Sequence, residues 1–249
     1  MIGYHPPMRR GRVFWALVSY LVLRWILAVQ PGYVFDVQAY KRWALYAGRF
    51  GLAQVYQASD MDYPPFYAYI LYPLGRLYGL ISPEALEHHS DTGILTFLIK
   101  LPPLAFDLGV AALMYYTARR VAGSWGRDDG RKWGLIAAGL YLLNPTVLFD
   151  TGFWGQPDCI HSFFVLAAFL SLFHRRAWVP WALLTLAVMM KPLAIPYFPL
   201  LAVLSLIRHG FLRTIAGGVA ALAVATLAFS PFILTGQIGF TLQRVFGDA

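Results

Sequence analysis

Long apolar runs make up most of the chain, and short polar segments separate them. Seven runs have the length of a membrane crossing or of half a crossing, at about 1.5 Å of rise per helical residue. They cover residues 13–29, 94–118, 133–149, 159–173, 178–190, 193–207 and 214–234. Because backbone polar groups inside lipid must be satisfied within the segment, these runs predict an all-α polytopic membrane protein. We expect about seven transmembrane or half-spanning helices in a single module over residues 1–249.

The composition agrees with this pattern. Of 249 residues, 59% are hydrophobic and 13% are charged, whereas soluble domains carry about 25% charged residues. The single Cys159 excludes an internal disulfide bond and a cysteine-rich metal cluster. The first apolar run lacks a small-residue cleavage site and is long enough to remain as a span, so we predict no cleavable signal peptide.

The formal net charge of +8 does not indicate a nucleic-acid partner, because the basic residues lie in short segments beside the apolar runs. They are Arg9, Arg10 and Arg12; Arg119, Arg120, Arg127, Arg131 and Lys132; Arg175 and Arg176; and Arg208 and Arg213. Short cytoplasmic loops collect lysine and arginine. We therefore expect these four segments on the cytoplasmic side of the membrane. Our separate expectation for the location is a prokaryotic plasma membrane.

The stretch "MDYPPFYAYILYP" opens an apolar, tyrosine-rich segment. If residues 63–81 crossed the membrane, every later span would invert and the basic loop 119–132 would lie outside, against the orientation rule. The prolines and glycines of this segment predict a broken juxtamembrane helix with its tyrosines at headgroup level. Residues 30–93 are thus expected to form one long external loop. That loop carries most of the acidic residues: Asp36, Asp60, Asp62, Glu84, Glu87 and Asp91.

The pair Lys191-Pro192 interrupts the apolar run of residues 178–207. The part before this pair is too short to cross a membrane at about 1.5 Å per residue. We therefore predict two short antiparallel helices whose tip stays at membrane depth. Irregular backbone at that depth must line a cavity or be buried in protein.

Asp36 begins a predicted helix on the external side, in "FDVQAYKRWALYAGRFG". Helical spacing puts Tyr40, Trp43 and Ala47 on one face, with Asp36 one turn ahead. Two interpretations remain open for this carboxylate. It caps the helix N-terminus, as aspartate does well, or it is a general base at the rim of an external cavity. The aromatic face alone is typical of a membrane anchor.

Two other polar groups follow along the chain. Asp60 and Asp62 can hold a divalent metal or position hydroxyl groups, although exposed pairs are commonly just solvated; the prolines after Asp62 stiffen its backbone and favour a site. In "NPTVLFDTGFWGQPDCIHSFF", four side chains crowd one outer turn: Trp154, Gln156, Asp158 and His161. A tryptophan ring can stack on a sugar and an amide can bridge its hydroxyls. The alternatives are an aromatic belt at the membrane interface and helix capping by the aspartate.

Four ionisable residues lie inside or beside the apolar runs: Arg24, Lys100, Asp107 and Lys191. Such residues are costly in lipid and are usually functional or paired. Lys100 and Asp107 are seven residues apart and face one side of their helix. Lys100 and Lys191 together predict a phosphate site below the external carboxylate. The alternatives are a structural Arg24–Asp107 ion pair and snorkelling of Lys100 to the surface.

Five blocks in this order resemble the GT-C superfamily of membrane glycosyltransferases: "FDVQAYKRW", "DYPPFYAY", "KLPPLAFDLG", "NPTVLFDTGFWGQPD" and "MMKPLAIPYFPL". The chain is most similar to the dolichyl-phosphate-glucose-dependent glucosyltransferases of N-glycan assembly and to their prokaryotic mannosyltransferase-like relatives. The similarity runs from Phe35 to the final "FTLQRVF". It implies an inverting hexosyltransferase, which moves a hexose from a polyprenyl-phosphate-linked donor to a lipid-linked, glycan or protein acceptor on the outer face of the membrane.

The resemblance also implies roles for individual residues. Asp36 is the catalytic carboxylate that takes the proton of the acceptor hydroxyl, and Lys191 with Lys100 holds the donor phosphate as it leaves. The sugar and acceptor cavity is lined by Asp62, Tyr63, Trp154, Gln156 and Asp158. No proper set of metal ligands is present in the sequence, so we predict no metal and no other cofactor.

Two departures from the family pattern limit what the resemblance implies. Its eukaryotic members carry a histidine-rich turn where this chain has "GFWGQPD", so the identity of the sugar does not transfer. They are usually longer, and we expect the chain to be the amino-terminal part of a longer protein. The alternative functions are a transporter or flippase for a lipid-linked or small polar substrate, with a midplane site at Lys191, and a non-catalytic assembly subunit.

Overall fold

The computed structural model describes residues 10–90 and 92–247. Within these ranges every regular element is helical and no strand is present, which confirms the predicted all-α fold. The helices of this described part are α1 Arg10–Ala28, α2 Val34–Phe50, α3 Val55–Ala58, α4 Pro65–Ile81, α5 Pro83–Glu87, α6 Gly93–Ser124, α7 Gly130–Leu142, α8 Pro145–Val147, α9 Asp158–Ser171, α10 Trp178–Met190, α11 Tyr197–His209, α12 Phe211–Leu234 and α13 Ile238–Phe246. Short 3₁₀-helices cover Leu52–Gln54 and Pro192–Ala194, and a π-helical segment covers Leu148–Trp154.

Three described helices are long and apolar enough to cross a membrane: Gly11–Ala28, Gly93–Ser124 and Phe211–Leu234. A further candidate span is the bent pair Gly130–Leu142 and Pro145–Trp154, whose parts meet at 47°. Three shorter apolar helices complete the set: Asp158–Ser171, Trp178–Met190 and Tyr197–His209. By length and composition, these elements fall on the seven predicted apolar runs.

The bend between α7 and the following segment has a local cause. α7 ends at Leu142, and Asn144 begins the next piece, where its Oδ1 accepts a hydrogen bond from the backbone N–H of Thr146 at 2.9 Å. Pro145 follows in the first turn, where the missing N–H costs nothing. A cap and a proline thus restart the helix in a new direction, and the π-helical segment carries the chain on to Trp154.

The predicted break in the tyrosine-rich segment is wrong, because α4 is continuous through Pro73. Its packing against α2 explains why a proline is tolerated there. At the contact, Gly75 faces α2 so closely that an added Cβ would lie 1.9 Å from the carbonyl oxygen of Ala44, and a Cβ on Gly48 would lie 2.6 Å from the carbonyl carbon of Gly75. Two glycines therefore let the two backbones touch, and this packing stabilises a helix that proline weakens.

The predicted interruption at Lys191 is present. α10 ends at Met190, and a 3₁₀ turn separates it from α11. Near the start of α10, Trp181 Nε1 donates a hydrogen bond to Ser205 Oγ, near the end of α11, at 3.2 Å. This contact fits two short antiparallel helices. The position of their tip at membrane depth stays a prediction.

The buried charges of α1 and α6 form an ion pair. Arg24 Nη1 lies 2.8 Å from Asp107 Oδ2, and these side chains are 1% and 0% exposed. Tyr141 donates to Asp107 Oδ1 at 2.8 Å, and Thr151 donates to Asp107 Oδ2. Arg24 also donates to Thr151 Oγ1 at 2.9 Å. The structural interpretation of Arg24 and Asp107 is thus confirmed, and their pair joins α1, α6 and the π-helical segment.

Candidate active site

Asp36 is held by the side chains of Trp154, the last residue of the π-helical segment, and Gln156, in the loop that follows it. Asp36 is the third residue of α2, which has Tyr33 at its cap position without a side-chain cap bond. Asp36 Oδ2 accepts hydrogen bonds from Trp154 Nε1, at 2.7 Å, and from Gln156 Nε2. No hydrogen bond from residues 10–90 or 92–247 reaches Oδ1. The capping interpretation is therefore wrong, and among the described residues Oδ2 is held by two donors while Oδ1 has no hydrogen-bond partner.

A tight contact between two loops brings these residues together. The loop between α1 and α2 meets the end of the π-helical segment, where Tyr33 N–H donates to the carbonyl oxygen of Trp154 at 3.3 Å. Gly32 lies at this contact with a φ of 72°, and a Cβ there would lie 2.5 Å from the same carbonyl oxygen. The position thus requires glycine for its backbone conformation and for the space.

A second glycine shapes the turn between Trp154 and Gln156. Gly155 has a φ of 93°, in the left-handed region. The backbone N–H groups of Gly155 and Gln156 both donate to the carbonyl oxygen of Asp150 at 3.0 Å. This turn reverses the chain directly after the helix, so that the side chains on either side of Gly155 reach the same oxygen of Asp36.

Lys100 connects the loop between α1 and α2 to the π-helical segment. The residue is 1% exposed, and its Nζ donates to the carbonyl oxygens of Gln30 at 2.8 Å and Phe153 at 2.9 Å. Snorkelling of Lys100 is therefore wrong, because its ammonium is buried against backbone. A contact between Lys100 and a donor phosphate stays a prediction, and the two carbonyl groups give this lysine a structural task at the base of the site.

Lys191 is more accessible than Lys100. Its Nζ donates to Asp158 Oδ1 at 2.6 Å, with exposed side-chain fractions of 25% and 36%. The same Nζ lies 5.5 Å from the ring centroid of Tyr63. Asp158 is the first residue of α9, but its side chain binds Lys191 and makes no capping bond. The capping interpretation of Asp158 is thus wrong, and the structure brings Tyr63, Asp158 and Lys191 together.

Tyr40 connects the Asp36 region to Tyr63, whereas the sequence pattern predicts only a place for Tyr40 on an aromatic helix face. Its hydroxyl donates to Gln156 Oε1 at 2.9 Å and lies 3.3 Å from the hydroxyl of Tyr63. Tyr40 is 2% exposed. The signal for this role was its position four residues after Asp36, on the same helix face. The contacts of the Tyr40 hydroxyl with Gln156 and Tyr63 join three separate parts of the chain, so only the tertiary structure reveals them.

The two carboxylates of the "DMD" motif face different surroundings. Asp60 accepts two hydrogen bonds from Arg42 and one from Trp43 Nε1 at 3.0 Å. The Arg42 guanidinium holds the pKa of Asp60 below its usual range. Asp62 lies beside them without an ion pair among the described residues, and partial burial raises its pKa, with the nearby Asp60 charge adding to the effect. No group of three or more His, Cys, Asp or Glu side chains that could hold a metal occurs in the described ranges.

The arrangement provides an open carboxylate oxygen on Asp36 and a partly exposed cation at Lys191. Side chains of Gln156, Tyr40 and Tyr63 lie between them. A sequence model described as the ALG6, ALG8 glycosyltransferase family matches residues 23–247. The match includes every site residue predicted from the sequence, from Asp36 to Lys191. No curated protein matches the chain.

Proposed function

The chain belongs to the ALG6, ALG8 glycosyltransferase family, and on this premise we propose that it transfers a hexose from a polyprenyl-phosphate-linked donor. The acceptor is a lipid-linked glycan, another glycan or a protein, on the outer face of the membrane. The observation that carries the proposal is the Asp36 carboxylate, which Trp154 and Gln156 hold through one oxygen only. A transporter or flippase has no support in the family match.

Asp36 acts as the general base in this proposal. The acceptor hydroxyl oxygen forms a bond to the anomeric carbon of the donor sugar, and the bond between that carbon and the phosphate oxygen breaks. The electron pair leaves with the phosphate, and the hydroxyl proton goes to Asp36 Oδ1. Attack from the face opposite to the leaving phosphate inverts the anomeric carbon. Because Oδ2 is occupied by two donors, the carboxylate presents Oδ1 in one orientation, which lowers the entropic cost of reaching the transition state.

Lys191 stabilises the departing phosphate in this proposal. Its ammonium has three N–H donors, and one of them is used by Asp158. The side chain remains partly exposed, so the other donors can face a phosphate. A cation at this position favours the transition state because negative charge grows on the phosphate as the glycosidic bond breaks.

The remaining site residues divide into two tasks. Trp154 and Gln156 use their N–H groups to hold Asp36, so their first task is to position the base. Asp62, Tyr63 and Asp158 surround the Lys191 end of the network, where we place the sugar and acceptor hydroxyls. Carboxylate and phenol oxygens can accept or exchange hydrogen bonds with such hydroxyls.

The outer face is the side that the charge distribution favours for this chemistry. The arginine-rich segments lie around the junctions of α6 with α7, α9 with α10 and α11 with α12, at the ends of helices opposite to those that lead into the site. Cytoplasmic loops collect such residues. With those ends inside, the loops that carry Asp36 and Asp62 lie outside.

Asp36→Asn tests the proposal in membranes supplied with polyprenyl-phosphate hexoses. Asparagine can keep the bonds from Trp154 and Gln156 through its amide oxygen, but it places an NH₂ group where Oδ1 stood. We expect kcat to fall about a hundredfold to ten-thousandfold, as for the loss of a general base, with donor binding unchanged. Glu84→Gln is the matched control, because Glu84 carries an exposed carboxyl group in the same external region. Unchanged turnover in Asp36→Asn removes Asp36 from the mechanism.

A further inference from the structure

The amide of Gln156 has only one orientation compatible with its neighbours. An ionised carboxylate accepts hydrogen bonds and donates none. The group that faces Asp36 Oδ2 must therefore be the NH₂ of Gln156, which leaves its Oε1 facing Tyr40. A carbonyl oxygen is only an acceptor, so the Tyr40 hydroxyl must donate to it, over 2.9 Å.

The direction of the next hydrogen bond follows from the same reasoning. A tyrosine hydroxyl has one proton, and that of Tyr40 is used at Gln156. In the 3.3 Å contact between the two hydroxyls, Tyr63 must therefore be the donor and Tyr40 the acceptor. Tyr63 thus donates to Tyr40, Tyr40 donates to Gln156, and Gln156 donates to Asp36, so that every hydrogen bond in this series runs in the direction of Asp36.

Both tyrosines keep their protons at neutral pH. Burial raises the pKa of Tyr40 and of Tyr63 above the usual value, and the neighbouring hydroxyls add to the effect at Tyr40. Each hydroxyl therefore remains a hydrogen-bond donor at neutral pH. Hydrogen bonds in such a series polarise one another, which strengthens the last bond to the carboxylate.

The Tyr40 ring itself cannot move easily. It is 2% exposed and lies 5.5 Å from the Trp43 ring and 5.4 Å from the Tyr67 ring, measured between centroids. Aromatic pairs at these separations pack favourably. The hydroxyl of Tyr40 is thus a fixed point from which the amide of Gln156 is oriented.

We propose that Tyr40 is a positioning residue for the glycosyl transfer: it fixes the Gln156 amide so that its NH₂ holds Asp36 Oδ2 and leaves Oδ1 directed at the acceptor. This inference rests on the proposed role of Asp36 as the base. Without the Tyr40 hydroxyl, Gln156 Oε1 has lost its donor, so the amide is held at its NH₂ end only and its side chain is free to shift together with Asp36. The base is then misoriented although every residue that touches substrate is still present.

Tyr40→Phe tests the proposal, because it removes the hydroxyl and keeps the ring. We expect kcat to fall about tenfold, the effect of one hydrogen bond, while KM for the donor stays within about twofold. Tyr67→Phe is the matched control: Tyr67 lies in the same aromatic cluster, and its buried hydroxyl has no hydrogen-bond partner among the described residues. We expect this control to keep its kcat. Equal activity of the two variants overturns the proposal.

A double-mutant cycle separates positioning from general loosening of the cluster. If Tyr40 acts through Gln156, then Tyr40→Phe has little further effect on kcat in a Gln156→Leu background. Independent effects, in which the two losses multiply, overturn the proposal. If Tyr40→Phe does not fold, Gln156→Leu alone carries the test, and a kcat within twofold of the unchanged protein overturns it.

The result for Asp36 distinguishes this inference from the proposed function. If Asp36→Asn is inactive while Tyr40→Phe matches Tyr67→Phe, the base is retained and the positioning role of Tyr40 is wrong. If Asp36→Asn has normal turnover, the proposed mechanism itself is wrong, whatever the tyrosine variants show.

Discussion

Lys100→Met separates a structural lysine from a phosphate ligand. Methionine has a similar length and no charge, so the change removes the ammonium with little loss of packing. In the structure this ammonium is buried and donates to the carbonyl oxygens of Gln30 and Phe153. Its removal leaves both carbonyl groups without that donor, at the point where the two loops of the site meet.

The expected loss of stability follows from these two bonds. A hydrogen bond to a charged group contributes about 1.5–3 kcal/mol, and an unpaired buried acceptor is costly. We take the lower value for each bond, because removing the ammonium also removes the cost of burying a charge. The free energy of unfolding of Lys100→Met is thus expected to fall by about 3 kcal/mol. Lys132→Met, at an exposed lysine, should change it by less than about 0.5 kcal/mol.

Unfolding can be followed through the thiol of Cys159, the chain's single cysteine. It is 5% exposed in the folded protein, so a thiol-reactive dye labels it only when the helices open. The midpoint of labelling, against denaturant in detergent micelles, measures the difference in unfolding free energy between the variants. Activity of the same preparations then gives kcat and donor KM.

The kinetic result decides between the two roles of Lys100. A structural lysine predicts a lower kcat, because displacement of Phe153 moves Trp154 away from Asp36, with a nearly unchanged donor KM. Lys191→Met is the comparison, and there we expect donor KM to rise about tenfold, as for the loss of one charge-assisted contact. An unchanged unfolding midpoint in Lys100→Met, together with a tenfold higher donor KM, would refute the structural role and place Lys100 at the phosphate.

Two further predictions concern ion pairs of known geometry. Asp107→Asn should lower the free energy of unfolding by about 3–5 kcal/mol, because Arg24 is left buried without its counter-charge. The double variant Asp107→Asn with Arg24→Met should lose less stability. An equal loss in the single and the double variant would contradict this explanation. The pKa of Asp60 is lowered by Arg42, so this pair contributes stability above the ordinary carboxyl pKa of about 3.9, and that contribution is lost as the pH falls through the lower folded value. Arg42→Gln should remove this part of the acid dependence of the unfolding midpoint, and an identical pH profile would show that the pair contributes nothing.

The spans were predictable because lipid imposes a simple rule on the sequence. An apolar run of sufficient length must become a helix, and its position needs no knowledge of neighbours. The continuity of α4 was not predictable in this way. Pro73 and the glycines of α4 indicate a break when they are considered alone, whereas Gly75 serves the contact with Gly48 of α2. Whether a glycine breaks a helix or lets another helix approach depends on a partner that local sequence does not show.

In the candidate site, too, the sequence predicts some features and not others. Asp36, Trp154 and Gln156 were predicted as site residues from their types and from the resemblance, and the structure brings these three together. Their relation to one another was not predictable, because Gln156 was expected to contact a sugar and it holds a carboxylate. The partners of Lys100 are backbone carbonyls, 70 and 53 residues away along the chain. Backbone acceptors carry no signal in side-chain patterns, so that contact was not visible.

The polar groups beneath the site all act on one stretch of chain. Thr151 is tied to the Arg24–Asp107 pair, and two residues later the carbonyl of Phe153 is held by Lys100. Directly after it, Trp154 binds Asp36. Arg24, Lys100, Asp107 and Thr151 are buried in the protein, where little water competes for these contacts and hydrogen bonds are stronger than at the surface. The buried charges thus support the segment that holds Asp36, the proposed base, and Asp107→Asn should lower kcat as well as stability, although Asp107 contacts neither Asp36 nor Lys191.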